Sequence, residues 1–197
     1  MATMPGELMT RHRLTVDDYH HMAESGIFGP DDRVELIAGE VLDMSPIGSL
    51  HAALVAALSD YLGRLAAGRL TVWSQNPIRL DGSSEPQPDI ALVKPRPDFY
   101  AAAHPGPSDT LLVVEVAESS LAYDLGVKVP LYARHGIPEV WVIDAATQTT
   151  HRFRGPRPEG YSEQGMITPE EPLACLALPG EAKNLVTILP LGRSERV

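Results

Sequence analysis

The sequence predicts an α/β protein built on a mixed central sheet, with an N-terminal β-hairpin and a β-rich C-terminal end. Two observations carry this. TLLVVEVAE (110–118) is apolar at nearly every position, the pattern of a central strand covered on both faces. A helical stretch and a second apolar run, EVWVID (139–144), follow it, and such a strand–helix–strand unit gives a parallel pair joined by a right-handed crossover.

The elements follow in order. Residues 1–13 read as a flexible leader, and TVDDYHHMAE as a short helix with Thr15 as N-cap and two acids at its positive end. RVELIAGEVLDM (33–44) alternates apolar and polar residues on both sides of Ala38-Gly39, a hairpin signal. HAALVAALSDYLGRLAAG (51–68) repeats apolar residues at helical spacing and ends at Gly68 as a C-cap. Three strands are expected next, over 71–80, 88–94 and 110–118, with a proline-rich surface loop between the last two. LAYDLGVKVPLYARHGI (121–137) reads as a helix with Gly136 at its end and Pro130 as a kink. Strand 139–144 pairs antiparallel with 147–155. PRPEGY is a turn, and short strands lie near Tyr161–Met166 and Leu185–Leu189.

Composition sets bounds. At 197 residues and 44% hydrophobic content, the chain suits one domain, 14–190, followed by a polar tail, 191–197. A net charge of −10 argues against a broad surface for coating nucleic acid. A single cysteine, Cys175, rules out an internal disulfide and reads as a small buried hydrophobe. The start has no apolar signal-like run and nothing approaches the length of a membrane span, so the expected compartment is the cytoplasm.

Three residues carry the chemistry. Asp89 opens a buried strand just after Pro88, Glu115 sits in the middle of the most apolar strand, and Lys128 lies on the next helix. An ionised carboxylate inside LLVVEVA is costly unless paired or bound to a metal. Side chains alternate along a strand, so Glu115 shares a face with Val113 and Ala117. If the strands of Asp89 and Glu115 are neighbours, the two carboxylates converge on a site suited to Mg²⁺ or Mn²⁺, and the Val116 carbonyl can add a third oxygen. Asp124, Lys128 and Tyr132 are spaced to share one helix face, from which the ammonium can orient a water or stabilise charge on a phosphate. This is the equipment of phosphodiester hydrolysis.

PQPDIALVK, VVEVAESS and YDLGVKVPLYARHGIPEVWVID, with VELIAGEVLDMSPIGSLH and QNPIRLDGSSEPQPDIAL, closely resemble the Uma-type restriction-endonuclease family, a branch of the PD-(D/E)XK nuclease superfamily. The resemblance covers residues 14–190. It implies a restriction-endonuclease-like αβββαβ core, with the motif aspartate at Asp89 and the motif acid at Glu115. The superfamily lysine stands two residues after that acid, where this chain has Ala117. In this branch the lysine has moved to the following helix, which matches Lys128.

Other residues carry two readings each. Glu35, in the first hairpin, serves as an extra site acid or as half of a surface ion pair. His51 serves as a substrate or proton-transfer group or as a simple helix-start contact. Ser119 and Ser120 read first as N-caps, Tyr132 as packing or support for Lys128, and His20-His21 as a solvated pair. Arg152, Arg154 and Arg157 form the densest basic patch, fit for a phosphate backbone or for an exposed strand face. The functional expectation is an Mg²⁺- or Mn²⁺-dependent endonuclease acting on DNA, working as a homodimer and away from membranes. The alternative is a catalytically inactive homo-oligomeric binding or scaffold protein with the same fold.

Overall fold

Thr15 opens the first regular element. Its hydroxyl accepts from the Asp18 amide while the Asp18 carboxylate accepts from the Thr15 amide, a reciprocal capping box that starts α1 (Val16–Glu24). The structure is a computed structural model that describes residues 10–29, 31–180 and 182–189. Most of the expected leader and the polar tail 191–197 lie outside the described residues.

β1 (Val34–Ile37) and β2 (Glu40–Asp43) form the expected antiparallel hairpin. Ala38 and Gly39 at its turn have φ of 49° and 76°, both left-handed as a type I′ turn requires. α2 (Ser49–Ala66) buries Leu54, Leu58 and Leu62 on one face. It ends one residue earlier than expected, with Ala67 as the left-handed cap and Gly68 continuing at positive φ.

A six-stranded sheet follows, in the order β3 (Thr71–Ser74), β4 (Ile90–Val93), β5 (Thr110–Ala117), β6 (Glu139–Asp144), β7 (Thr150–Arg157) and β8 (Gly160–Ile167). Only β5 and β6 are parallel, so the sheet is mixed. α2, the three strands β3–β5, a helical crossover and β6 make up the αβββαβ core. Alternate residues of β5 feed two apolar layers. Leu112, Val114 and Val116 pack with α2 on one side. Val113 and Ala117 pack with Leu131 and Tyr132 on the other.

Several boundaries differ from the sequence reading, each for a local reason. The strand expected over 71–80 stops at Ser74, because Gln75 turns left-handed at φ 51° and the next residues bond to a loop, Ile78 to Pro86 and Leu80 to Ser84. The stretch PRPEGY is not all turn, since β7 runs on to Arg157 and β8 starts at Gly160. Leu185–Ile188 is a helical turn, α5, and not a strand: the Asn184 side chain caps it by accepting from the Thr187 amide.

The helix expected over 121–137 is broken into α3 (Leu121–Tyr123), a π-helical turn (Asp124–Lys128) and α4 (Val129–Arg134). Pro130 has no amide hydrogen to give to the preceding turn. The chain accommodates it by widening that turn, so the Val129 amide reaches back five residues to the Asp124 carbonyl. α4 then closes in a Schellman motif. Gly136, at φ 75°, donates to Ala133, and Ile137 donates to Tyr132.

Candidate active site

Asp89 and Glu115 meet because of strand register. β4 and β5 pair Ile90 with Val114 and Ala91 with Val113. One residue further, Asp89 stands opposite Glu115, at the point where β4 has not yet begun. The side chain of Asp89 fills the place of a missing ladder bond: its Oδ2 accepts the Val116 amide at 2.8 Å. The Ala117 carbonyl accepts from Ala145 on the β6 side. The Val116 carbonyl, one residue away, therefore points to the opposite edge, where Asp89 stands.

Glu115 is 3% exposed and faces the layer of Val113 and Ala117, as its strand position requires. The Tyr132 hydroxyl donates to its Oε1 at 2.6 Å, and Lys128 Nζ lies 3.3 Å from the same oxygen. Lys128 also lies 3.1 Å from Glu35 Oε2. Glu35 is thus no surface residue: β1 carries it into the interior, where it also accepts from the Gln87 amide at 3.2 Å. His51, in the first turn of α2, places Nε2 2.9 Å from Asp89 Oδ1. Asp124 is buried and accepts from Ser120 Oγ at 2.6 Å. Asp89, Glu115, Lys128, Glu35 and His51 all line one cleft of about 850 Å³.

The electrostatics follow from this crowding. Glu35, Glu115 and Asp124 act on one ammonium, and Asp89 lines the same cleft, so negative charge is in excess. Burial, aided by the neighbouring acids and opposed by Lys128, pushes the Glu115 carboxyl up to about 8. Burial also raises Asp124. For Lys128, burial favours the neutral amine, but Glu115, Glu35 and Asp124 together overcome it and hold the ammonium charged. The hydrogen bond to Asp89 raises His51.

Such a cluster is completed by a proton or by a cation. Among the described residues no group of three His, Cys, Asp or Glu side chains forms a ready-made metal cage. The donor set still suits Mg²⁺ or Mn²⁺, which binds through one or two carboxylates and keeps several waters. Glu115 lines the cleft, and its contacts with Tyr132 and Lys128 both fall on Oε1. Asp89 retains lone pairs on both bonded oxygens, and the Val116 carbonyl faces the same edge.

Other expectations divide. Tyr132 supports Glu115 directly. Ser120 stands at the start of α3 without capping it through its side chain and serves Asp124 instead. The arginine patch is not a free triad, because Arg154 is held by buried Glu139 and the Ala174 carbonyl. His20 is no solvated bystander; it bonds Glu85, which is buried, at 2.7 Å. Gln87 and Tyr123 line the cleft without having been singled out. Gln87 lies two residues before Asp89, and Tyr123 directly before Asp124, so proximity to the motif residues was the available signal.

Residues 16–188 match the family model described as Uma2, putative restriction endonuclease. The fold is similar to the crystal structure of a putative nuclease belonging to DUF820 from Anabaena variabilis ATCC 29413, with a TM-score of 0.69 and 14% sequence identity over 89% of this chain and 97% of that one. No curated protein matches.

Proposed function

The chain belongs to the Uma2 family of putative restriction endonucleases, and from that premise we propose that it is a divalent-metal-dependent nuclease that hydrolyses phosphodiester bonds in DNA. The observation that carries this reading is the register of Asp89 against Glu115, with the Lys128 ammonium 3.3 Å from the latter.

Asp89, Glu115 and the Val116 carbonyl are the groups that would hold Mg²⁺ or Mn²⁺, which when bound polarises a phosphoryl group and makes a coordinated water more acidic. The chain's own residues do the rest. Lys128 has three N–H donors, of which Glu35 and Glu115 take two. The third is available to an attacking water or a phosphate oxygen. Tyr132 and Glu35 fix the ammonium and the carboxylate relative to each other. His51 braces Asp89 from the opposite wall and stands beside the cleft as a proton carrier.

The test is direct. Purified protein with Mg²⁺ or Mn²⁺ is expected to cut DNA within a panel of DNA and RNA substrates, and Glu115→Ala to abolish cutting while keeping its circular dichroism spectrum. Cutting that persists in this variant would assign the activity to another site.

A second reading rests on the acid excess, a net charge of −10. Here the chain is a non-catalytic homo-oligomeric binding or scaffold protein, pairing through the sheet's edge strands β3 and β8. Calorimetry without Mg²⁺ or Mn²⁺ binding, beside a stable dimer in sedimentation, supports it over the first. No helix among the described residues is long and apolar enough to cross a membrane.

A further inference from the structure

The carboxylates of the cleft, when ionised, can only accept hydrogen bonds, so a phosphate oxygen entering it must be held by donors. Several donors there are already engaged. Lys128 gives two of its three N–H groups to Glu35 and Glu115, and Arg33 Nη1 bonds the Ser45 carbonyl. The Gln87 side chain bonds the Gln75 carbonyl, and Ser120 bonds Asp124. His51 spends Nε2 on Asp89, while its Nδ1 is buried without a partner among the described residues. The Tyr123 hydroxyl is unpaired as well. It belongs to a residue that lines the same cleft, it is shut off from bulk solvent, and it has no hydrogen-bond partner among the described residues.

Tyr123 ends α3, directly before the π turn that carries Lys128. Its hydroxyl feels the charges of Glu35, Lys128, Asp124 and Glu115, yet bonds none of them. Burial holds the phenol in its neutral form, so it remains a donor. Buried tyrosine hydroxyls ordinarily find a partner, and leaving one unpaired is costly. A polar atom buried without a partner in this way points to an occupant of the cleft that supplies the missing acceptor.

Building on the nuclease reading, we infer that Tyr123 is a substrate-binding residue whose hydroxyl donates to a non-bridging oxygen of the phosphodiester. A neutral phenol suits this place. It supplies the donor that the four acids lack, and it adds no positive charge to compete with a divalent ion for them.

The experiment compares wild type with Tyr123→Phe in three measurements: binding of dimethyl phosphate in Mg²⁺ by NMR titration, kcat/KM for DNA cleavage, and the Tm of the substrate-free protein. We expect dimethyl phosphate to bind at least about tenfold more weakly to the variant, and kcat/KM to fall about tenfold to a hundredfold. Tm should not fall, because the change removes a hydroxyl that the free protein leaves unpaired. Equal binding and equal cutting would mean that the hydroxyl holds only a water, and the proposal is overturned. A fall in Tm marks a structural hydroxyl and overturns it too, as does a wild type that binds no dimethyl phosphate. If neither protein cuts any nucleic acid but the difference in dimethyl phosphate binding persists, the nuclease reading fails while the Tyr123 contact stands.

Discussion

Tyr132 and Lys128, four residues apart on one helical face, converge on a single oxygen of Glu115, at 2.6 and 3.3 Å. The arrangement leaves the other oxygen out of both contacts and makes the buried carboxylate dependent on both partners. Tyr132→Phe should therefore cost about 1–3 kcal/mol, the range for depriving a buried acceptor of its donor. Urea denaturation at neutral pH measures it. A change below roughly 0.5 kcal/mol, the level of an ordinary surface substitution, would reduce Tyr132 to packing.

Lys128→Met makes a harsher test of the same cluster. It leaves Glu35 and Glu115 buried without their common counter-charge, and breaking a buried pair from one side costs about 3–5 kcal/mol. Adding Glu115→Gln and Glu35→Gln to that variant should recover much of the loss, since the charges needing compensation are gone. If the triple variant is no more stable than Lys128→Met alone, the loss came from packing and not from charge.

The raised Glu115 carboxyl gives a pH dependence with a definite sign. A group raised in the folded state contributes stability that is present below its unfolded value and is lost as pH rises through the folded one. The metal-free protein should lose stability between the ordinary carboxylate range, near 4.5, and about 8. Metal binding requires the ionised form, so it runs the other way. Between pH 6 and 8 the Kd for Mn²⁺ should fall about tenfold per pH unit, then level off. Calorimetry in buffers of different ionisation enthalpy should show close to one proton released at pH 7. A Kd independent of pH over this range would mean that Glu115 is already ionised or is not a ligand.

The residues of the candidate site were legible because their surroundings made them anomalous. Glu115 interrupts an unbroken apolar strand, and the strand period set which face it takes. Asp89 needed the register of β4 on β5, which neighbouring strands supply. What escaped was decided by contacts distant in sequence. Glu35 reads equally as a site acid or as half of a surface ion pair until the hairpin is folded over Lys128. Arg154 reads as free until Glu139, buried on β6, claims it. The segment Leu185–Ile188 is β-branched enough to read as a strand, and a single Asn184 cap tips it to a helical turn. The break at the π turn was signalled by Pro130, but not its form, because widening one turn keeps Asp124, Lys128 and Tyr132 all buried at the site.

Two glycines, one lining the cleft and one in the hairpin turn, separate backbone need from mere closeness. A Cβ on Gly48 would meet the carboxylate of Glu118, the far end of an exposed side chain that can swing away. Gly48→Ala should therefore be tolerated. Gly39 is at φ 76°, and a Cβ there would meet Arg13 Cβ at 2.8 Å and the Leu14 carbonyl at 3.0 Å. Left-handed strain and the clash with backbone add, so Gly39→Ala should cost roughly 2 kcal/mol or more. Because that turn holds β1, and β1 delivers Glu35 to Lys128, the cost should reach the site. Gly39→Ala is expected to lower Tm and weaken Mn²⁺ binding, with Gly48→Ala leaving both near wild type. Equal behaviour of the two variants would break the link drawn here between the hairpin turn and the buried ion pair.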